Sequence, residues 1–375
     1  MAGEIVLPAA YGRDRESGKW VMPLREMLGL SGKQQPMTPV MEDRLCHLAT
    51  VIPSYQCAAE AACHWGVTID DSQLQRLVQR VGGRAEAQAS RRVERALDPR
   101  GNREVVREAE LARKGECFSM VVMLDGTMLR LRGKDWGMKP ASVVSEERVV
   151  WHELKAGVVL RIPESSAPGK RLEVGKWYVA SADGPEAVGR KLYAEALRRG
   201  LEQAERVYVI ADGAAWIWRV AEEHFPGSVE QLDFYHASEH LWALARSLWK
   251  EEGEASRQWA VPLLHALKHQ GGGELLAALE QLRKTMAESL NASQRQDLDR
   301  EAAYFRNHAS RLDYPGAKRR GMPLGSGTMA SACSQIQGRF KRPGQFWTRP
   351  GEKALMTLDM AWRNRDWNEI WKQTA

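Results

Sequence analysis

The stretch RVYVIADG, residues 206–213, decides how this 375-residue sequence folds. Its hydrophobic run from Val207 to Ala211 predicts a short strand that is buried on both faces. Asp212 and Gly213 follow that strand directly. A carboxylate at the end of a buried strand costs free energy unless a cation or hydrogen bonds compensate it, and a neighbouring Gly lets a substrate backbone approach. The stretch therefore predicts either a charged site at a sheet edge or a simple Asp-Gly turn.

The elements on both sides of this stretch predict a mixed α/β domain. Phe118 to Leu124 and Thr127 to Leu131 predict two strands joined by a hairpin at Asp125-Gly126. Further elements are predicted in this order: β-rich runs at 149–160 and 176–182, a helix at 185–203, strand 206–211, a helix at 215–225, strand 229–234 and a helix from 237. Meandering strands followed by helix, strand, helix, strand is the order of a ribonuclease H-like fold, a layered α/β arrangement.

Residues 37–83 predict an all-α helix-turn-helix domain made of three short helices. The third begins near Asp70 or Asp71 and ends at Gly82, with Leu and Val residues on one side. Arg pairs with guanine and Gln with adenine in a major groove, so a polar face of Gln and Arg favours base reading. A plain three-helix packing unit with a solvated face is the alternative. The predicted reading residues are Gln73, Arg76, Gln79 and Arg80.

The rest of the chain is predicted to be helical. Residues 241–312 lose all strand character and indicate a helical insertion with a core-like apolar spacing and no assigned chemistry. Trp362, Trp367 and Trp371 predict a terminal helix that packs onto the domain. The predicted divisions are an N-terminal segment (1–36), the helix-turn-helix domain (37–83), a charged helical linker (84–116), the first part of the α/β domain (117–240), the insertion (241–320) and C-terminal helices of the α/β domain (321–375).

Positive charge is concentrated near the C-terminus. The whole chain has a net charge of +6, whereas residues 311–350 alone carry eight Arg or Lys and one Asp. Such a block suits a polyanion such as DNA, and a solvated surface is the alternative. The predicted phosphate contacts in this block are Lys318, Arg319, Arg320, Arg339, Lys341 and Arg342.

Composition excludes an integral membrane protein. No apolar run approaches the ~20 residues that a membrane helix needs, and no signal peptide is readable at the N-terminus. The five cysteines are odd in number and irregular in spacing, which favours reduced thiols over a disulfide framework. A cytoplasmic protein is expected.

Acidic residues at predicted strand ends point to phosphoryl transfer. Asp125 and Asp212 both follow buried strands, and such a pair suits Mg²⁺ ions about 4 Å apart that activate a nucleophile and stabilise a leaving oxygen. Asp233 and His236 end the next predicted strand. They are interpreted as a ligand, a phosphate contact or a hydrogen bond to a ligand, with a structural Asp-His pair as the alternative.

Together these motifs resemble the Kra-type insertion-sequence transposases, whose catalytic domain is a ribonuclease H-like DDE domain. The resemblance runs from about Gly18 to Trp371, and it implies that Asp125 and Asp212 are the first two catalytic carboxylates. The matching motifs are Pro23-Leu24, Leu28-Gly29-Leu30, Leu77-Val78-Gln79-Arg80-Val81-Gly82, Leu124-Asp125-Gly126, Ala211-Asp212-Gly213-Ala214, Leu232-Asp233-Phe234-Tyr235-His236-Ala237-Ser238-Glu239-His240-Leu241, Gly325-Ser326-Gly327 and Lys341-Arg342.

The sequence departs from this family at one catalytic position. Family members carry Glu three residues after the last Gly of Gly-Ser-Gly, and this chain has Ala330 there, with no acidic residue between Gly316 and Pro350. Three explanations compete: an introduced Glu→Ala change, a natural degenerate copy, or a site completed by Asp233 or Glu239.

The resemblance implies a bacterial, nucleoid-associated DNA transposase that binds the terminal repeats of its element, cleaves DNA with Mg²⁺ or Mn²⁺ and joins the ends to target DNA. Two ends must be brought together, so a homodimer or a higher homo-oligomer is expected. Ala330 predicts that the chain is inactive as given. The alternative is a non-catalytic DNA-binding regulator or scaffold derived from such an enzyme.

Overall fold

The computed structural model describes residues 10–28, 37–112, 115–140, 142–163, 175–249, 253–286 and 289–372. Parts of the predicted N-terminal segment, including Gly29 and Leu30 of the quoted motif, lie outside the described residues. The described residues form two compact units. The first lies within 1–92, 128–153 and 335–375, and the second within 93–127 and 154–334.

The strands and helices follow the predicted order. The strands are β1 (Gly12–Arg13), β2 (Trp20–Val21), β3 (Phe118–Arg132), β4 (Val149–Pro163), β5 (Gly175–Ser181), β6 (Val207–Ala211) and β7 (Val229–Leu232). The helices are α1 (Pro23–Met27), α2 (Pro39–Val51), α3 (Tyr55–Cys63), α4 (Asp71–Leu97), α5 (Pro99–Ala112), α6 (Pro185–Arg198), α7 (Ala215–His224), α8 (Phe234–Trp249), α9 (Glu254–Gln270), α10 (Gly273–Thr285), α11 (Ala292–Asn307), α12 (Tyr314–Arg319), α13 (Gly327–Phe340) and α14 (Arg349–Arg363).

A five-stranded mixed sheet confirms the α/β class. Its strand order is β5-β4-β3-β6-β7. β6 pairs in parallel with β3 on one side and with β7 on the other, whereas β4 and β5 are antiparallel. The chain after β7 is helical, as predicted for the insertion, and leucines of α8, α9, α10 and α11 share one buried core with the sheet strands.

The predicted hairpin at Asp125-Gly126 is wrong. β3 is one continuous strand of 15 residues that passes straight through this pair. Gly126 does not adopt the positive φ that a two-residue hairpin turn requires. Beyond the pair, Thr127 and Leu129 are buried while Met128 is exposed, so the strand continues with the alternation of a half-buried strand.

The third N-terminal helix is longer than predicted. It begins after Asp70, whose carboxylate accepts the Gln73 N–H (2.7 Å), but α4 then runs through Gly82-Gly83 to Leu97. Gly82 allows close packing and does not end the helix. A Cβ at this position would lie 2.5 Å from the carbonyl oxygen of Ala354 on α14. The first residues of the predicted linker therefore belong to the same helix.

Arg339 is buried, and its predicted role as a phosphate contact is wrong. Its guanidinium donates to the backbone carbonyl oxygens of Ala49 (2.8 Å), Thr50 (3.3 Å) and Pro53 (3.0 Å), where α2 ends. These oxygens lack helical partners, so a cation at the helix C-terminus satisfies them and interacts favourably with the helix dipole. Arg339 stabilises the first unit from inside.

The three C-terminal tryptophans do not share one helix. α14 contains Trp362 and ends at Arg363, and Arg365 takes a left-handed backbone conformation (φ 59°) that stops the helix. Trp367 begins a separate 3-10 turn, and its indole N–H donates to Asp43 (2.5 Å).

All five cysteines are free thiols. Among the described helices, none combines the length and apolar character needed to cross a membrane.

Replacing Arg339 with Met should lower the free energy of unfolding by about 2–3 kcal/mol, because buried carbonyl oxygens lose their donors. Arg342→Met is the matched control, since Arg342 is exposed, and should change stability by less than about 0.5 kcal/mol. Urea denaturation of the two variants tests this, and equal stability of both would contradict the buried capping role.

Candidate active site

Two aspartates lie at the same level of the sheet. β3 and β6 pair in register with Met123 opposite Ile210, and Asp125 and Asp212 each follow two residues later. Neighbouring strands lie about 4.8 Å apart, and residues in register point to the same face. The two carboxylates therefore lie close enough to interact, and the charge of Asp212 contributes to raising the pKa of Asp125.

Asp233 continues this row on the other side of β6. Ala211 pairs with Leu232, and the next residue of each strand is the aspartate. The Asp233 N–H donates to the carbonyl oxygen of Ala211 (2.7 Å), which extends the parallel pairing past the end of β7. The three acidic residues predicted from strand ends thus meet at one edge of the sheet.

Asp125 is half-buried, and burial raises its pKa above the ordinary value. Hydrogen bonds from the Gly126 N–H (2.6 Å) and from the Cys333 thiol act in the opposite direction. Burial and the negative charge of Asp125 raise the pKa of Cys333 to about 12. Cys333 therefore remains a protonated thiol that donates to Asp125.

The carboxylate of Asp233 is fully used within the protein. Its Oδ1 accepts the N–H groups of Tyr235 (2.7 Å) and His236 (3.3 Å), which caps the start of α8. Its Oδ2 accepts both the N–H (2.7 Å) and the hydroxyl (2.5 Å) of Ser326. Because both oxygens accept hydrogen bonds within the protein, Asp233 fits a structural role, one of the alternatives considered for it.

The Asp233–Ser326 bonds explain why the two specific motifs occur together. They join the end of β7 to the loop before α13, and Gly325 is needed where the loop passes α8. A Cβ at Gly325 would lie 2.6 Å from the ring of Tyr235 and 2.8 Å from Oδ1 of Asp233. The Asp-Phe-Tyr-His run and the Gly-Ser-Gly run therefore contact each other directly.

Position 330 lies on the face of α13 that meets Asp125. The Ser326 carbonyl oxygen accepts the N–H groups of Met329 (2.7 Å) and Ala330 (3.0 Å), so α13 starts from the anchored loop. Cys333, which bonds to Asp125, is one helical turn after Ala330, and residues three apart share a face. Ala330 is exposed, so a longer side chain at this position has room to extend.

Glu239, the other residue considered as a third carboxylate, is largely exposed to solvent. Its side chain is 77% exposed, and its described partner is His236, whose Nδ1 is 3.4 Å from Oε2 of Glu239. His236 itself is half-buried near Asp125, and a positive charge on its ring would lower the pKa of that aspartate.

The helical insertion contributes to the site, which the sequence interpretation missed. The Tyr304 hydroxyl on α11 donates to the carbonyl oxygen of Asp212 (2.9 Å). Gly213 has a φ of +101°, and a Cβ there would lie 2.9 Å from that hydroxyl and 3.1 Å from Nε2 of His308. Glu301 and Tyr304 lie three residues apart on one face of α11, and His308 follows directly after the helix. Most residues of α11 are polar, so this spacing carries no distinct signal in the sequence.

The predicted DNA-binding residues have different environments. Gln73 is half-buried and Arg76 is exposed on α4. Arg80 is bound by the buried carboxylate of Glu42 (2.6 and 3.2 Å), and the amide of Gln79 lies against Gly351. Arg80 is therefore engaged in an ion pair within the first unit, which limits its availability for bases.

In the basic block, exposed cations lie at the end of α12 and after α13. Lys318, Arg319 and Arg320 are exposed, as is Arg342, and Arg320 is 3.6 Å from Asp313. Lys341 is half-buried, with its ammonium 5.4 Å from the ring centre of Trp151. These five cations remain compatible with phosphate contacts.

The acidic side chains at this site suit a hard cation, but they are too few to form a metal site from protein ligands alone. Within the described part of the chain, no group of three or more His, Cys, Asp or Glu side chains is placed to hold a metal ion. Asp125 and Asp212 supply two carboxylates, and Mg²⁺ commonly takes one or two protein carboxylates together with water and substrate phosphates. The two carboxylates therefore fit one Mg²⁺ ion whose remaining ligands come from water and substrate.

An uncharacterised protein family (UPF0236) has a model that matches residues 191–370. The match includes Asp212, the run from Leu232 to Leu241 and the Gly-Ser-Gly loop, but neither Asp125 nor the N-terminal helices. No curated protein matches the chain. The match therefore covers most of the residues of the site, but because the family is uncharacterised it indicates no activity.

Gly325→Ala should lower the free energy of unfolding by about 1–3 kcal/mol, because the added methyl group would displace Tyr235 or Asp233. Gly327→Ala is the control: no atom lies within 4 Å of a Cβ there, and its φ is not positive. Thermal unfolding of both variants checks the contact. Equal destabilisation would show that the loop does not depend on this close approach.

Asp125→Asn should increase the free energy of unfolding at neutral pH in metal-free protein. The folded-state pKa of Asp125 is raised, so the ionised carboxylate costs stability as pH rises through that pKa, and the full cost is present at neutral pH. The advantage of Asn should shrink as pH falls towards the ordinary Asp value of 3.8. Urea titrations in EDTA across this range measure it. A variant less stable than the parent at neutral pH would contradict the burial argument.

Proposed function

We propose that this chain is a DNA transposase of the Kra type, a polynucleotidyl transferase that binds the ends of its element. The observation that carries the proposal is the register of β3 and β6, which brings Asp125, in the middle of β3, next to Asp212 at the carboxyl end of β6. Paired carboxylates on neighbouring parallel strands suit metal-dependent phosphoryl transfer.

The topology supports a ribonuclease H-like assignment. The antiparallel strands β4 and β5 lie on one side of β3, and the parallel strands β6 and β7 lie on the other. α6 precedes β6 and α7 connects β6 to β7, in the order expected for this fold. The three capped N-terminal helices support a helix-turn-helix unit in front of it.

Asp125 and Asp212 would hold Mg²⁺, with Mn²⁺ as a substitute. When bound, the ion would polarise the scissile phosphate and lower the pKa of the attacking water or hydroxyl. The protein's own contribution is positional. Asp233 holds Ser326 and thereby the start of α13, Cys333 orients Asp125, and Tyr304 holds the backbone of Asp212.

Double-stranded DNA is the proposed partner, as element ends and as target. Lys318, Arg319 and Arg342 are exposed and would contact phosphates, which gives affinity that depends on salt and not on sequence. Arg76 on α4 is exposed on the proposed reading face, as is Arg80, although Arg80 is paired with Glu42. Bringing two ends together requires a homodimer or a higher homo-oligomer.

A specific observation favours a second candidate, a non-catalytic DNA-binding protein derived from such an enzyme. By the resemblance, Ala330 stands where a third carboxylate is expected, and the occupied oxygens of Asp233 and the exposure of Glu239 argue against either of them completing the site. Either an introduced change or a natural degenerate copy accounts for Ala330. Both candidates share the DNA-binding surfaces and differ in whether chemistry can be restored.

Ala330→Glu should restore Mg²⁺-dependent cleavage of DNA by at least about a thousandfold, because a metal-positioning carboxylate supplies several kcal/mol of transition-state stabilisation. The substrates are labelled duplexes amplified from both flanks of the coding sequence. Ala330→Gln is the matched control, with the same length and no charge. Adding Asp125→Ala to Ala330→Glu should abolish cleavage again.

Binding measured on the same duplexes separates the two candidates. Binding by all variants with cleavage by Ala330→Glu alone supports the transposase. Binding without cleavage by any variant supports the regulator or scaffold, and absence of binding contradicts both.

A further inference from the structure

A partly buried series of hydrogen-bonded side chains connects the helical insertion to the edge of the site. Nδ1 of His240 lies 2.6 Å from Oε2 of Glu301, and Nε2 of His240 lies 3.3 Å from Nε2 of His236. Glu301 comes from α11 and both histidines come from α8. These hydrogen bonds therefore link the insertion, through α8, to His236, which lies near Asp125.

Glu301 is placed as a fixed acceptor. Its side chain is only 3% exposed, and Nε of Arg300 donates to its other oxygen (2.9 Å). Although burial acts to raise its pKa, the hydrogen bonds from His240 and Arg300 lower the pKa of Glu301 below its ordinary value. A buried, ionised carboxylate accepts hydrogen bonds only, so Nδ1 of His240 must carry the proton.

The proton on Nδ1 of His240 determines which nitrogen of His236 acts as the donor. When His240 is neutral, hydrogen on its Nδ1 leaves a lone pair at Nε2, and His236 then donates its own Nε2–H to that nitrogen. The other nitrogen of His236, Nδ1, then has a lone pair on the outer side, 3.4 Å from Oε2 of Glu239, whose exposed side chain is free to take another rotamer. The aromatic contacts hold the geometry, because the ring of His240 stacks on Tyr304 with centroids 3.9 Å apart and planes 13° apart.

We propose that Glu301 and His240 are positioning residues that fix the tautomer and orientation of His236, so that the outward-facing Nδ1 of His236 is kept as an acceptor for a hydrogen bond from a hydroxyl group of the substrate. The role in the reaction rests on the proposed function, whereas the hydrogen-bond relay itself does not. The insertion thus controls a residue of the site through α8, by the same logic that orients histidines with a buried carboxylate in other sites.

The relay is tested by imidazole NMR on the full-length, uniformly ¹⁵N-labelled, metal-free protein at about pH 8, where ordinary histidines are neutral. Spectra of His236→Gln and His240→Gln assign the two rings. The parent should show His240 protonated at Nδ1, and a hydrogen-bonded Nε2–H of His236 that exchanges slowly with water. An Nε2-protonated His240 in the parent would overturn the proposal.

Two variants break the relay at different points. Glu301→Leu removes the acceptor and should release His240 to the Nε2–H form. His240→Phe keeps a ring on Tyr304 and should leave the Nε2–H of His236 in rapid exchange. Asp297→Asn is the control, since Asp297 lies one turn earlier on α11, accepts from Ser247 (2.6 Å) and Arg300 (2.8 Å) and is not bonded to His240. Unchanged histidine signals in both relay variants, or the same change in the control, would overturn the relay.

The positioning role is measured in the Ala330→Glu background. Adding Glu301→Leu or His240→Phe should lower kcat for cleavage about 10- to 100-fold with unchanged DNA affinity, whereas Asp297→Asn should not. Equal kcat in relay variants and control would overturn the role. Failure of Ala330→Glu itself to cleave counts against the proposed function, and the spectra then decide the relay alone.

Discussion

The parallel pairing of β6 on both of its edges is the constraint on which the site depends. It brings Asp125, Asp212 and Asp233 to one level, although 87 and 21 positions separate them along the chain. A slip of one residue in either pairing would turn an aspartate to the opposite face of the sheet. The buried strand residues around β6 therefore determine the chemistry as well as the stability of this edge.

Within this row the three aspartates have different functions because their surroundings differ. Asp233 is buried, and both of its carboxylate oxygens accept hydrogen bonds, one from backbone groups of α8 and the other from Ser326. Asp125 is half-buried, and its raised pKa shows that the protein leaves part of the cost of burying it uncompensated. A carboxylate in that condition gains most from a cation, and a stability cost of this kind is typical of functional sites.

The insertion is more than a spacer between β7 and α13. The helices of the insertion share the apolar core of the sheet. This packing fixes the position of α11, so that Tyr304 and Glu301 can contact residues outside their own helix. Tyr304 holds the backbone after β6, and Glu301 begins the relay to His236. Position 330 lies on α13, whose anchoring loop is held by Asp233 and whose Cys333 donates to Asp125.

The sequence by itself determined most elements and the two principal carboxylates, because hydrophobic periodicity and capping residues act over a few neighbours. β6, the cap at Asp70 and the strand-end position of Asp212 are of this kind. Only the tertiary structure decided that β3 passes through Asp125-Gly126, that Gly82 serves packing and that Arg339 is buried. It also decided that Asp233 holds Ser326 and that Glu301 reaches His240. Each of these depends on a partner 60 or more positions away, and local patterns carry no information about which distant group a polar side chain or a glycine will meet.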